Sequence, residues 1–233
     1  MKKKFRAILK ILLVVLVISI IHNSNIIEKC THKTKYVKNP DDIGVLINRY
    51  NRLSQEYKPD DLTVPNIKFV FKGDLPKKKM RKEAAEAIEK MFSDAKSKGI
   101  VLYGVSGYRS YETQDALYKE RVKSAGKKEA EKYVARPGES EHQSGLAMDV
   151  GTKNYLRGEN IGNTKEGKWL KDNAYRYGFI IRYPKEKEYI TGVNYEPWHI
   201  RYVGRDMAKA IESKEITLEE YYGETSIGRI IKK

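Results

Sequence analysis

The sequence is poor in the residues that most often build metal and disulfide sites. Among its 233 residues are one cysteine, Cys30, and four histidines. A single cysteine excludes an intramolecular disulfide framework and any zinc site made from a cysteine cluster. A metal site would therefore draw on carboxylates and on the four imidazoles, which are His22, His32, His142 and His199.

Acidic residues are also in the minority, with 31 Asp and Glu against 46 Lys and Arg and a net charge of +15. Such a charge suits a polyanionic partner. The excess is spread along the chain, and the sequence lacks a recognition helix, a zinc finger and an aromatic–glycine RNA-binding motif. We therefore expect a basic surface that faces an anionic polymer, and no specific nucleic-acid binding.

One long hydrophobic run is present, and it lies near the N-terminus. The basic segment MKKKFR is followed by eleven consecutive apolar or small residues, Ile11 to Ile21. That length suits the core of a secretory signal better than a full membrane span of about 20 residues. Since no small-x-small cleavage site follows, we predict that residues 1–27 form an uncleaved signal-anchor, or else a signal peptide. The rest of the chain would then lie outside the cytoplasmic membrane.

The remaining sequence is divided by composition into three parts. Residues 28–40 are polar and lysine-rich and are predicted to be a stalk, residues 41–222 a single catalytic domain, and residues 223–233 a basic tail. Helices are predicted over Ile43–Leu53, Met80–Ala95, Glu112–Ala125, Lys165–Tyr177 and Arg205–Ile211, and strands over Ile67–Phe71, Ile100–Val105, Leu146–Val150, Phe179–Tyr183 and Trp198–Val203. This mixed order predicts an α+β fold with a central, largely antiparallel sheet and helices packed around it.

Two histidines lie beside carboxylates in segments that adjoin predicted strands, residues 140–149 and 195–202. Catalytic zinc needs three protein ligands and an open position for water, and two histidines with one carboxylate meet that need. His142, Asp149 and His199 form one such set. The seven-residue step to Asp149 suits a loop that enters a strand, and the 57-residue step from His142 to His199 suits a neighbouring strand. We predict one Zn²⁺ per chain.

Glu196 lies three residues before His199, with Pro197 stiffening the chain between them. A carboxylate held beside metal-activated water, without ligating the metal, is the expected general base. Each of these residues has a commonplace alternative, since a lone histidine beside a strand is usually a packed side chain and Glu-Pro alone is a turn. Their joint occurrence favours the catalytic interpretation.

The pattern S-x-H-x-x-G-x-A-x-D followed by E-P-W-H-x-R-Y resembles that of the VanY-type D-alanyl-D-alanine carboxypeptidases, zinc peptidases grouped with lysostaphin-like and hedgehog-like folds. The resemblance extends to residues 105–111 and 177–184 and covers roughly residues 41–222. It implies a small α+β fold that carries zinc on a central antiparallel sheet. It also implies the ligand set and the base inferred above.

The resemblance further implies substrate contacts at Arg109, Gln114 and Ser140. Arg109 lies at the mouth of a predicted strand, two residues after Gly107, and is a fixed cation, able to bind a terminal carboxylate or to stabilise an oxyanion. We therefore assign Arg109 both a catalytic and a substrate-binding role, with a surface salt bridge as its alternative. As isolated residues, Gln114 and Ser140 would be helix or loop caps.

Together these features predict a zinc carboxypeptidase that removes the C-terminal D-alanine from peptidoglycan stem peptides. Three alternatives remain open: an L,D-carboxypeptidase, an endopeptidase on cross-links, and a catalytically silent wall-binding module. The intact ligand set beside Glu196 argues against silence, because a binding module needs no base. The expected partners are stem peptides and, through the N-terminal segment, the cytoplasmic membrane, with no obligate protein partner.

Overall fold

A computed structural model describes residues 34–154 and 158–224 of the chain. Contacts divide the chain into two units, residues 1–35 and residues 36–233, and all described residues except Thr34 and Lys35 belong to the second. The predicted anchor, residues 1–27, lies outside the described residues, and so do residues 28–33 of the predicted stalk and residues 225–233 of the predicted tail. No helix in the described ranges is long and apolar enough to cross a membrane.

The described residues form a four-stranded sheet, shorter strands and helices. The strands are β1 (Lys35–Tyr36), β2 (Asn51–Arg52), β3 (Leu62–Thr63), β4 (Met80–Arg81), β5 (Tyr103–Ser106), β6 (Ala147–Gly151), β7 (Phe179–Tyr183) and β8 (Glu196–Tyr202). The helices are α1 (Lys82–Ser97), α2 (Tyr111–Ala125), α3 (Lys127–Ala130), α4 (Lys165–Asn173), α5 (Glu188–Thr191), α6 (Arg205–Ser213) and α7 (Leu218–Tyr221). Four 3-10 turns cover residues 76–78, 141–144, 159–163 and 174–177.

The central sheet has the order β5-β6-β8-β7 and is antiparallel throughout. Because side chains alternate along a strand, the two faces of this sheet differ sharply. Met148 and Ile200, which are paired across β6 and β8, lie in the apolar core against α1. Their neighbours Asp149 and His199, also paired, lie on the opposite face. The mixed fold with its antiparallel sheet is as the sequence predicted.

Helix α1 packs against the apolar side of the sheet and contributes six buried residues to the core. Its buried face consists of Ala84, Ala85, Ile88, Met91, Phe92 and Ala95. The helix ends before Gly99, whose φ of +74° few other residues adopt without strain. At the other end of the domain, Thr217 and Glu220 form the reciprocal hydrogen bonds of a capping box at the start of α7.

The predicted helix over Ile43–Leu53 is wrong. The Asp42 carboxylate accepts a hydrogen bond from the backbone N–H of Gly44 at 2.8 Å, and the Asn48 side-chain oxygen accepts one from that of Asn51 at 3.1 Å. Such local side-chain bonds compete with the helical backbone pattern. The segment forms turns that lead into β2, and its apolar side chains are nevertheless buried in the core.

Tertiary contacts complete this correction. The Arg201 guanidinium donates hydrogen bonds to the carbonyl oxygens of Ile43 at 2.9 Å and Val45 at 2.8 Å. In a helix, those carbonyls would instead accept hydrogen bonds from backbone N–H groups of the same helix. The predicted strand over Ile67–Phe71 is likewise reduced to one bridge, between Phe69 and Gly104 on β5.

The chain just before the predicted domain also packs against it. The backbone N–H of Val37 donates to the carbonyl of Arg52 at 3.0 Å, and the Val37 side chain contacts the core. At the other end, the Asn51 side-chain amide donates to Glu224 at 3.0 Å. The boundaries drawn from the sequence at residues 40 and 222 stay predictions.

Candidate metal centre

The three predicted metal ligands come from three elements that meet on the polar face of the sheet. Asp149 on β6 and His199 on β8 are directly paired across the strands. His142 lies in the 3-10 turn Glu141–Ser144, which ends at Gly145 with φ +68°. A side chain at Gly145 would also collide with Leu62, since its Cβ would lie 2.8 Å from a methyl carbon. The tight turn therefore depends on glycine and brings His142 over the strands.

The ligating atoms of these residues converge on one point. Asp149 Oδ1 lies 3.4 Å from His142 Nε2 and 3.0 Å from His199 Nδ1. One atom from each residue lies within 4.8 Å of the other two, and all three residues are buried. Two neutral nitrogen donors and one carboxylate are a donor set typical of catalytic zinc. The residues present therefore fit a zinc ion.

The outer nitrogens of both imidazoles are also engaged. His142 Nδ1 donates to the carbonyl oxygen of Gly107 at 2.8 Å, and His199 Nε2 lies 3.4 Å from a carboxylate oxygen of Glu141. Metal-ligating histidines characteristically donate their second N–H to such acceptors. His142 would thus ligate through Nε2, and His199 through Nδ1.

The electrostatics of this cluster favour a cation. Burial lowers the pKa of His142 to about 4, with the Arg109 cation adding to the effect. Burial also lowers the pKa of His199, but hydrogen bonds with Asp149 and Glu141 outweigh it and raise that pKa to about 9. The two histidines overcome burial and hold the pKa of Asp149 well below its usual value. The two carboxylates beside His199 thus favour a positive charge between them.

Glu196 occupies the position expected of a base. It is the first residue of β8 and pairs with Tyr183. Its Oε2 lies 4.0 Å from His199 Nδ1, the nitrogen that faces the proposed ion, and its side chain is 14% exposed. The carboxylate is thus beside the ligand set and outside it. Its catalytic role stays a prediction.

Arg109 is held at the edge of the same cluster. Its backbone N–H donates to the carbonyl of His142 at 3.1 Å. One end of its guanidinium donates to Gln114 Oε1 at 2.7 Å, and the other end donates to Ser106 Oγ at 3.2 Å. These contacts fix the plane of a half-buried cation next to a proposed ligand.

The other two predicted substrate contacts differ in what they offer. Gln114 is buried, and its amide both accepts from Arg109 and donates to the carbonyl of Ala135 at 2.6 Å. In this structure Gln114 therefore orients Arg109. Ser140 precedes the 3-10 turn and is also buried, and its side chain makes no capping hydrogen bond to that turn. Their contacts with substrate stay predictions.

Sequence reasoning missed a set of buried ions behind His199. Glu141 Oε1 accepts from Arg182 Nε and from Arg201 Nη1, both at 2.7 Å. Arg182 also forms a two-pronged pair with Glu219 on α7, at 2.7 and 2.9 Å. The available signal was spacing, because Arg201 is two residues after His199 and hence on the same face of the strand. Because charged residues in strands are usually exposed, there was no reason from the sequence to expect these charged side chains to be buried.

Glu139, one residue before Ser140, is the basis of a stability prediction. Burial raises the pKa of its carboxyl to about 7, against the opposing charges of three nearby arginines. The carboxyl of the unfolded chain ionises at lower pH, so folding stability falls as pH rises from about 4.5 to about 7. The loss at higher pH is on the order of 3 kcal/mol.

We therefore expect Glu139→Gln to raise the melting temperature at about pH 8 and to leave it nearly unchanged at about pH 4. Melting curves of both proteins across this range check the prediction. Glu120→Gln, at an exposed position on α2, is the matched control. An effect of Glu139→Gln that does not vary with pH would show that the carboxylate bears no cost of burial.

Comparison with known proteins finds a family model and similar proteins that span most of the described residues. The VanY family model, described as D-alanyl-D-alanine carboxypeptidase, matches residues 77–205. "Putative carboxypeptidase YodJ" of Bacillus subtilis (strain 168) is 48% identical over 188 residues, which are 80% of this chain and 69% of that protein. The matched range of the family model contains the three proposed ligands, Glu196 and Arg109.

Two solved structures are similar along most of the chain. The LdcB LD-carboxypeptidase has a TM-score of 0.80 and 47% identity, covering 83% of this chain and 91% of that one. A mutant of the vancomycin-resistance D,D-pentapeptidase VanY in complex with Zn(II) has a TM-score of 0.62 and 34% identity, covering 77% of this chain and 98% of that one.

Proposed function

Because the chain belongs to the VanY family of D-alanyl-D-alanine carboxypeptidases, we propose that it is a zinc-dependent enzyme that removes the C-terminal D-alanine from peptidoglycan stem peptides. The observation that carries this proposal is the buried group His142, Asp149 and His199, whose ligating atoms lie within 4.8 Å of one another. The Zn(II) complex of the similar VanY structure supports the choice of metal.

Zinc held by these three residues would polarise the scissile carbonyl and activate a water molecule for attack. Proton transfer and substrate binding are carried out by side chains of the protein. Glu196, beside the metal-facing side of His199, accepts a proton from the attacking water and then donates it to the leaving amine of D-alanine. Since the amine leaves as a neutral group, this transfer is needed for the C–N bond to break.

Arg109 has the chemistry to select peptides with a free C-terminus. Its guanidinium is planar, remains charged at every working pH and is fixed by Gln114 and Ser106. Such a group pairs with a carboxylate through two parallel hydrogen bonds. The same cation, next to His142, can also stabilise the negative charge that develops on the carbonyl oxygen.

The cleaved bond defines two candidate activities. The family description favours the bond between two D-alanines of a pentapeptide. The greater likeness to the LD-carboxypeptidase LdcB, with a TM-score of 0.80 against 0.62 for VanY, favours the D-alanine at the end of a tetrapeptide. We expect both peptides to lose one alanine, and the tetrapeptide to react faster.

Mass spectrometry of defined tripeptide, tetrapeptide and pentapeptide stems, each incubated with the zinc-loaded enzyme, tests this expectation. A faster pentapeptide would assign the D,D activity instead. Loss of no alanine from any stem, by a protein that holds zinc, would refute the proposed function.

We also propose that the protein is anchored in the cytoplasmic membrane and acts outside it, where peptidoglycan lies. The support is the basic and then apolar sequence of residues 1–27. The mature protein should retain Met1 to Ile27 and should fractionate with membranes. N-terminal sequencing of the protein from cell fractions checks this prediction. A mature N-terminus beyond residue 22, in secreted material, would contradict it.

A further inference from the structure

Behind the metal cluster, on the side away from Glu196, lies a buried carboxylate that the proposed chemistry does not use. Glu141 is 1% exposed and adjoins His142 in the chain, but its side chain reaches His199. We propose that Glu141 is a positioning residue, which holds His199 with Nδ1 turned toward the metal. This inference rests on the proposed function, because it takes zinc as the ion that His199 binds.

The Glu141 carboxylate is itself held in place from two sides. Its Oε1 accepts hydrogen bonds from Arg182 and Arg201, each at 2.7 Å, and all three side chains are fully buried. With that oxygen engaged twice, Oε2 is left 3.4 Å from His199 Nε2. The carboxylate therefore presents one fixed acceptor to one edge of the imidazole.

Both arginines are also anchored to residues outside the metal cluster. Arg201 donates to the carbonyl oxygens of Ile43 and Val45. Arg182 donates from both terminal nitrogens to Glu219 on α7. These anchors fix the guanidinium groups without using His199. The position of Glu141 is thus set by the segment that follows residue 40 and by the last helix.

A fixed acceptor at Nε2 determines which imidazole nitrogen can bind a metal. Carboxylates flank both nitrogens of His199, and a neutral imidazole carries one N–H, so once Nδ1 ligates a metal beside Asp149 that proton is on Nε2, where Glu141 accepts it. The lone pair then lies on Nδ1, which is 3.0 Å from Asp149 Oδ1 within the ligand set. His142 shows the opposite arrangement, because the Gly107 carbonyl accepts from its Nδ1. The two histidines are thus oriented by different acceptors.

Removal of Glu141 should loosen this orientation. In Glu141→Gln the shape is kept, but the side chain can no longer offer an anionic acceptor to His199 while it receives both arginines. Loss of such an outer partner typically weakens metal binding by about 10–100-fold. We expect that increase in the zinc dissociation constant, and altered visible absorption bands when Co²⁺ replaces zinc.

Glu219→Gln provides the matched control. It removes one buried carboxylate from the same set of ions, and Glu219 contacts Arg182 and Asn48 rather than a proposed ligand. Because breaking a buried ion pair is destabilising, both variants should melt below wild type. Only Glu141→Gln should change zinc affinity and the Co²⁺ bands. These two readouts separate positioning from a general loss of stability.

The decisive experiment is titration of the full chain, wild type and both variants, with Zn²⁺ and then Co²⁺. Equal zinc affinities and equal Co²⁺ bands in the two variants would overturn the role of Glu141. A wild type that binds no zinc would instead refute the proposed function. If Glu141→Gln fails to fold, ¹⁵N NMR of the zinc-loaded wild type decides. A proton on Nε2 of His199 supports the inference, and a metal on that nitrogen overturns it.

Discussion

Glu196→Gln is expected to keep its zinc and lose its turnover. Glutamine preserves the size of the side chain and one hydrogen-bond acceptor but cannot accept the proton of the attacking water. Turnover should fall by roughly 10²–10⁴-fold, the contribution of a positioned acid–base group. KM should change little, because the base acts mainly in the transition state. Zinc content, kcat and KM measured on one preparation check the prediction.

His199→Ala is the comparison variant for this experiment, because it removes a proposed ligand instead of the base. It should lose zinc and activity together. If Glu196→Gln also loses zinc, the Glu196 carboxylate of the wild type is a ligand or a support of the ligand set. As a ligand, it would have to approach His199 more closely than the 4.0 Å that separates them here. Full activity with full zinc would place the base on another residue.

The convergence of the three proposed ligands could be predicted from the sequence because it follows largely from alternation along two strands. Asp149 and His199 each lie in a strand that shows clear apolar neighbours, and antiparallel pairing placed them side by side. His142 could be added because Gly145 allows the turn that leads into β6. Strand alternation and the position of one glycine were thus enough to predict that the three proposed ligands lie together.

The same kind of reasoning failed where long-range contacts decide. The apolar spacing over Ile43–Leu53 suits a helix, but Arg201, far along the chain, takes the carbonyls of Ile43 and Val45. Glu141 was likewise missed, because nothing in its own segment shows that two arginines neutralise it. Their burial becomes evident only when β7, β8 and the 3-10 turn are assembled.

The wrongly predicted helix and the overlooked Glu141 both contact the same buried side chain, Arg201. A buried arginine must satisfy five N–H donors, and carbonyls left outside regular structure are suitable acceptors. The irregular backbone after residue 42 therefore accompanies the charged residues behind His199. Secondary structure in this segment and the orientation of a proposed ligand depend on one guanidinium, Arg201. Neither could be inferred from a pattern confined to a single element.

Arg109→Lys is expected to be nearly as damaging as loss of the base. Lysine keeps the positive charge, but a single ammonium cannot donate to Gln114, Ser106 and a substrate carboxylate in one plane as the guanidinium does. Loss of a donor to a developing oxyanion typically costs about 2.7–4 kcal/mol, or roughly 10²–10³ in kcat. Steady-state kinetics on the preferred stem peptide measure this loss.

Arg121→Lys, on α2, controls for the substitution itself, since the Arg121 guanidinium packs over the Tyr133 ring and not at the metal cluster.

A stem peptide amidated at its C-terminus then separates the two tasks of Arg109. If Arg109 binds the terminal carboxylate, wild type should cleave the amidated peptide poorly, and Arg109→Lys should lower that residual rate little further. If Arg109 stabilises the oxyanion, the substitution should lower kcat on both peptides by a similar factor. Wild-type kinetics of Arg109→Lys on both peptides would leave Arg109 with a structural role alone, held by Gln114 and Ser106 beside the centre.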